Sequence, residues 1–452
     1  ALDLAPEQEQ AALLELAGDA AGGAGYTDRA VHYLERAAVL YRASGDQVAA
    51  AHVTAMLARP MGRSDRGPEA QHLLESSLAD LPSDAGPRVR AELLTGLSES
   101  LRFSTKVVEA LGAIEEAMVA VESLDADDLL IDALQEKSQV LFSLGRHREA
   151  LILARAAVDL AGTAGTRMDR AQALMSLGVM VAESGPRQSY EVSIKAADAS
   201  RAAGMRNVEH MSLANGLESA IDLGLFTEAE TILAELASRG DTAFLRGVVS
   251  FNAAVLSAYC GERTVAAAHL AEVEERLTMD DRMSSEHAWH LRARSLVKLL
   301  AGDVEQSYDD GVAAVAVEPA GMNAPTILFG CAHAAAWMRD AARLRHTIDA
   351  LQTLHGPWVT NLASGARASL AAVDGRTDEA AAGFRQVLDE WIHMDLPLDY
   401  AWSVLDALAV LPRDAVDDDA VCRAKSTLES LNAVPLLTRL EAAETAMLTS
   451  TS

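Results

Sequence analysis

Residues 144–157 read Leu144-Gly145-Arg146-His147-Arg148-Glu149-Ala150-Leu151-Ile152-Leu153-Ala154-Arg155-Ala156-Ala157, with small residues at fixed distances behind one glycine. Ala150, Ala154 and Ala157 follow Gly145 at offsets that share one face of a helix beginning just after it. The same phasing returns about every 40 residues, at Gly224, Ala229, Leu233, Leu236, then Gly261, Ala266, Leu270, Val273, then Gly375, Ala380, Phe384, Val387. One such period is long enough for two helices and a turn. A hairpin of that kind cannot bury its apolar face alone, so the repeat predicts a stack of hairpins.

Working outward, the first hairpin spans residues 8–43, with Gly22-Gly23-Ala24-Gly25 as its turn, Thr27-Asp28 as the expected cap, and Ala30, Leu34 and Ala37 on the packing face. Ala70, Leu74 and Ser77 hold the same phases in the second copy, and Ala110, Ile114 and Ala117 in the third. The fifth departs from the pattern, with Gly185-Pro186 and then Tyr190, Ile194 and Ala197. Copy eight places Ser307, Gly311 and Ala314 after Gly302-Asp303, and the ninth is blurred between Trp337 and Leu351. The segment 421–443, after the acidic spacer 414–419, is expected to cap the end. The predicted fold is all-α, a right-handed superhelix (α-solenoid) of ten or eleven hairpins. Residues 1–445 are expected to form one continuous domain, with candidate breaks near 280–285, 318–325 and 412–419, and 446–452 a disordered tail.

Composition agrees. Half of the 452 residues are hydrophobic but only 4% are aromatic, which suits close helix packing through Ala and Leu. Runs of alternating Val and Ile are missing, so no strand is predicted. The formal charge of −28 argues against direct nucleic-acid binding and against an anionic membrane surface, both of which need a basic stripe. Cys260, Cys331 and Cys422 are widely spaced and odd in number, so a disulfide framework is not expected and a cytoplasmic location is. The chain opens on Ala1 rather than Met, which suggests a piece of a longer protein.

The turn 144–151 resembles that of the tetratricopeptide repeat, in copies about half a dozen residues longer than the usual form. The closing stretch 427–440, Thr427-Leu428-Glu429-Ser430-Leu431-Asn432-Ala433-Val434-Pro435-Leu436-Leu437-Thr438-Arg439-Leu440, is similar to the ending of the repeat regions of large bacterial signalling ATPases. These include LuxR-type ATP-dependent regulators and class III cyclases with an appended nucleotide-binding module. Asn432 stands where that ending has glycine. The resemblance implies a sensor or protein-interaction region working with an upstream nucleotide-binding module. This chain carries no G-x-x-x-x-G-K-[ST] loop and no DNA-reading helix pair after Leu440, which favours a cyclase-type or other ATPase parent.

In the tetratricopeptide family the first helix of each hairpin lines a concave groove. Counting back from the turn glycines gives Asn215 and Glu218, then Phe251, Asn252 and Tyr259, then Trp289 and Arg292 as groove residues. Two asparagines at one phase and an arginine fork suit an extended peptide backbone or a carboxylate. With only five lysines, none at paired groove positions, the carboxylate clamp of chaperone-binding repeats is not expected. His287 and His290 share a face next to Glu286, but a zinc site needs a third ligand. Trp337, Trp358, Trp391 and Trp402 read as core or capping residues. No catalytic set sits in a nucleophile motif, so the expectation is a non-catalytic module without a metal or cofactor. Its groove would hold a protein, peptide or small effector; the alternatives are a small-molecule sensor and a passive oligomerisation scaffold.

Overall fold

One turn geometry builds the repeats. In the computed structural model Gly145 adopts φ 75°, its N–H donates to Phe142 O at 2.9 Å, and the Arg146 N–H donates to Leu141 O at 2.9 Å. This is a Schellman closure, in which a left-handed residue lets two N–H groups satisfy the last carbonyls of the helix. The pair of bonds recurs at Gly45, Gly224, Gly261, Gly302 and Gly375. It recurs also at Arg339 (φ 54°), Asp395 (φ 55°) and Asn432 (φ 53°), where a side chain tolerates the left-handed region at about 1–2 kcal/mol. The ninth copy is therefore an intact hairpin. Its glycine position is Arg339, and Leu344, Ile348 and Leu351 occupy the buried phases.

The structure describes residues 7–62, 66–104, 106–181, 185–239, 243–275, 277, 285–317 and 324–450. Among them are 23 α-helices, one 3-10 turn at Arg413–Ala415, and no strand. In chain order the pairs begin with α1 (Glu7–Gly23) and α2 (Thr27–Ser44), α3 (Gln47–Gly62) and α4 (Gly67–Ala79), α5 (Pro87–Phe103) and α6 (Val107–Glu122). Next come α7 (Asp127–Ser143) and α8 (His147–Thr163), α9 (Arg167–Met180) and α10 (Pro186–Ala203), α11 (Arg206–Asp222) and α12 (Phe226–Arg239). Then follow α13 (Ala243–Tyr259) and α14 (Arg263–Glu274), α15 (Ser285–Ala301) and α16 (Val304–Val317), α17 (Ala324–Trp337) and α18 (Ala341–Leu351). The series closes with α19 (Pro357–Val373) and α20 (Thr377–His393), α21 (Pro397–Val410) and α22 (Asp418–Ser430), and a last helix, α23 (Val434–Ser450). The fold is an all-α helical repeat of eleven such pairs plus α23.

Packing within the chain gives two compact units, residues 1–180 with 192–212 and residues 181–191 with 213–452. In the first unit α1, α3, α5, α7 and α9 form an inner layer, each against the next odd-numbered helix, and α2, α4, α6 and α8 lie outside. The small-residue stripe faces between the layers: Ala30, Ala70, Ala110, Ala150 and Ala157 are fully buried. Alanine there lets helix backbones approach, and a larger side chain would overpack the crossing by about 1–3 kcal/mol. The turn after α1 also meets the start of α11, since a Cβ on Gly25 (φ 86°) would lie 2.5 Å from Asn207 Oδ1.

Two local expectations are corrected. The residue before α2 is Tyr26, and neither Thr27 nor Asp28 caps by a side-chain bond; the Tyr26 N–H closes the preceding helix on Ala21 O instead. In the fifth copy Ser189 and Ser193 take the buried phases, one residue earlier than Tyr190 and Ile194, while Ala197 is buried as read, beside Ala196. Pro186 starts the helix directly after Gly185, which shortens the turn, and buried serines do not read as apolar. The Ser189 hydroxyl is within 3.0 Å of Ser219 Oγ.

The second unit repeats the layering with α13, α15, α17, α19 and α21 inside, and α23 packs on α13, α15, α21 and α22. Leu431 and Val434, just before and at the start of α23, fill the spaces beside Gly224 and Gly261. Asp417 caps α22 by accepting from the Asp419 N–H at 3.1 Å, within the acidic spacer. Of the other candidate breaks, residues 278–284 and 318–323 lie outside the described residues. In the segment expected as a tail, 446–450 continue α23 and 451–452 lie outside the described residues.

Candidate functional site

Inner helices present side chains to a concave face in each unit, and the two faces differ in what fills them. In the second unit the filling is aromatic. Tyr259, Phe329, His333, Trp358 and Trp402 come from α13, α17, α19 and α21, with Trp402 rings 4.7–6.5 Å from His333, Phe329 and Tyr259. Trp337 stacks on Trp402 at 5.3 Å, and the Arg439 guanidinium of α23 lies 3.6 Å from the Trp337 centroid. Three buried polar pairs lie inside this mass: His333 Nδ1 with Asp406 Oδ2 at 2.8 Å, Trp358 Nε1 donating to Asp399 Oδ1 at 2.8 Å, and Trp391 Nε1 donating to Ser403 Oγ at 2.8 Å. Burial pushes the Asp399 carboxyl up to about 7 and the Asp222 carboxyl up to about 6.

Of the groove residues read from the sequence, Phe251, Asn252, Tyr259, Trp289 and Arg292 fall on the inner helices α13 and α15, and Asn215 and Glu218 on the part of α11 that belongs to this unit. Glu218, Phe251, Asn252, Trp289 and Arg292 surround one void of about 20 Å³, and Tyr259 and Arg292 border another of about 30 Å³. Such voids hold one water at most. The Arg292 fork donates to Glu218 Oε2 at 2.8 Å and Asp222 Oδ2 at 3.4 Å. Asn252 Nδ2 donates to Val248 O of its own helix, Phe251 meets Trp289 edge-on, and half-buried Asn215 accepts from Ser219 at its carbonyl. Counting back from the glycines picks out residues that pack against one another here. It could not show that bulky neighbours fill the space in front of them. His290 is buried beside His287, and burial lowers it to about 4; among the described residues no group of three side chains could hold a metal.

The first unit keeps its concave face open around a cavity of about 390 Å³. Its walls come from α1, the first half of α2, α3, α5, α7, α9 and the segment 205–208. Three 40-residue strides link His52, Glu92, Asp132 and Gln172, one residue from each of α3, α5, α7 and α9, and all four line the cavity. Arg88 and Asp128 form a parallel row. Six carboxylates (Asp19, Glu92, Glu99, Asp128, Asp132, Asp169) face two arginines, Arg59 and Arg88, and His52.

Ion pairs run along the strides. His52 Nδ1 lies 2.6 Å from Glu92 Oε2, Arg88 joins Glu92 at 3.3 Å and Asp128, and Arg59 joins Glu99 at 3.3 Å and Asp132 at 4.0 Å. The hydrogen bond to Glu92 raises His52 above its ordinary value. Desolvation raises Asp132 above its ordinary value, opposed by Arg59 and assisted by Asp169, Glu99 and Asp128. Apolar lining comes from Leu34, Leu129, Val208 and the methionines Met56, Met168 and Met205. Below the cavity, Arg102 holds the buried Glu136 by two bonds of 3.1 and 3.2 Å, with Ser98 Oγ adding a third at 3.0 Å. The signal for this site was available in the sequence as the 40-residue stride of polar residues on the first helices of copies two to five.

No protein-family model matches the chain, and no curated relative matches it. Similar solved structures include a Rap protein complexed with competence and sporulation factor, at 9% identity and TM-score 0.44, covering 94% of this chain and 100% of that one. Another is the Cut9–Hcn1 hetero-tetramer of APC/C, at 12% identity and TM-score 0.43, covering 98% and 94%. A tetratricopeptide repeat protein from Parabacteroides merdae has 18% identity and TM-score 0.38, covering 64% and 93%.

Proposed function

We propose that this chain is a non-catalytic binding module whose first unit holds a segment of a partner protein in its inner cavity. The observation that carries the reading is the contrast between the two concave faces: one enclosing about 390 Å³ under charged and methionine side chains, the other filled by aromatic rings. A volume of that size falls within the range of specific ligand sites. The closing stretch 427–440 supports placing the module in a larger signalling ATPase or regulator. Ligand binding there would shift the populations of conformations available to that parent.

The test is selection of displayed random twelve-residue peptides on the purified chain, with Ala55→Trp as counter-screen. Ala55 is half-buried and lines the cavity, so an indole there occupies the space while the outer helices stay untouched. Recovered peptides should bind the wild type and lose most of their affinity for the variant, whose circular dichroism is unchanged. Recovery of peptides indifferent to Ala55→Trp would remove the cavity from consideration.

A further inference from the structure

We infer that the occupant of the first unit's cavity is a basic peptide segment with apolar residues between its cations. This rests on the binding-module reading above and adds the chemistry of the ligand. Four observations converge. The first is an imbalance of charge: two arginines and His52 answer six carboxylates, and Asp19 and Asp169 have no cationic partner among the described residues. The second is Thr95, which is 8% exposed and lines the cavity, so a hydroxyl able to donate and accept stands among the carboxylates.

Spacing is the third. Carboxylates stand on successive inner helices, and packed helices lie about 8–10 Å apart. A chain in the polyproline II conformation rises about 3.1 Å per residue with three residues per turn, so cations three residues apart share one face about 9 Å apart and match that row. Lining chemistry is the fourth. Met56, Met168 and Met205 offer flexible apolar surface for the stems of arginine or lysine and for the residues between them. A bare metal ion has no use for so large and partly apolar a space.

The experiment titrates three fluorescein-labelled nonapeptides, (Arg-Leu-Ala)3, (Gln-Leu-Ala)3 and (Glu-Leu-Ala)3, by anisotropy at 0.15 M salt. The basic peptide alone should bind, one per chain. Asp132→Asn with Asp169→Asn should weaken it at least tenfold, and asparagine retains the capping role of Asp169 toward Thr166. Glu109→Gln with Glu122→Gln, exposed on the outer helix α6, should leave affinity within twofold. Equal weakening by the two pairs would show attraction to the chain's overall −28 charge and overturn the inference. Binding of the neutral or acidic peptide that Ala55→Trp abolishes would overturn it too, while the cavity reading stands. Displacement by spermidine at equal concentration would assign the site to a small cation instead. Absence of binding by all three would overturn both readings.

Discussion

Replacing Gly311 by alanine, alone and with Cys331→Ala, tests how the helices of the second unit touch. Nine residues after the turn glycine, other copies carry Leu233, Leu270 or Phe384; here Gly311 follows Gly302 at the same offset. A Cβ at Gly311 would lie 2.5 Å from Cys331 Sγ on α17 and 3.4 Å from Ser295 Oγ on α15. Cys331 is 1% exposed and cannot swing away. Alanine gains about 1 kcal/mol of helix propensity over glycine. The clash costs about 2 kcal/mol, midway in the range for overpacking. The single variant should thus lose about 1 kcal/mol. With Cys331 already alanine the obstacle is gone, and the same change should gain about 1 kcal/mol, a coupling of about 2 kcal/mol, as expected for touching residues. Urea unfolding followed by tryptophan fluorescence is the assay, because all five tryptophans (Trp289, Trp337, Trp358, Trp391, Trp402) belong to the second unit. If Gly311→Ala costs the same in both backgrounds, the close approach to Cys331 is not what selects glycine there.

Asp399 predicts a pH dependence. Its folded value, about 7, lies above the unfolded value of about 3.9, so Asp399 by itself should remove about 4 kcal/mol from the second unit as pH rises from 4 to 7. Asp399→Asn should remove that contribution in fluorescence-detected melts, leaving those of Asp222, of the same sign, and of His290, of the opposite sign; an unchanged pH profile would refute the assignment. Arg102→Met strands a carboxylate 6% exposed and should cost about 3–5 kcal/mol at pH 7 by circular dichroism, with partial recovery as falling pH neutralises Glu136. A loss independent of pH would contradict that cause. Gly25→Ala should destabilise the first unit through its left-handed backbone even when Asn207→Ala removes the side-chain obstacle, whereas full rescue by Asn207→Ala would show that crowding alone matters.

The fold was legible because its turn chemistry is local. Gly145, Ala150, Ala154 and Ala157 announce a closure and a packing face within one stretch of chain, and the structure uses each as read. Reading failed where another residue took over the same geometry, as Arg339 does for glycine and Ser189 and Ser193 do for alanine. Glu218, Asn252 and Arg292, picked by counting back from the turn glycines, line one small void. What stands opposite them was not legible. Whether a concave face stays open depends on contacts such as Tyr259 with Trp402, separated by 143 positions along the chain, and no local pattern carries that information. His52, Glu92, Asp132 and Gln172 escaped because paired acids and bases along a helix read as a solvated face until the strides are aligned.

Hydrogen exchange by mass spectrometry, with and without a saturating peptide recovered on the wild-type chain, tests the central claim most directly. The account predicts slowed exchange in α3, α5, α7 and α9, the helices carrying His52, Glu92, Asp132 and Gln172, with α4, α6 and α8 little changed. Protection confined to those outer helices, or to the second unit, would contradict it.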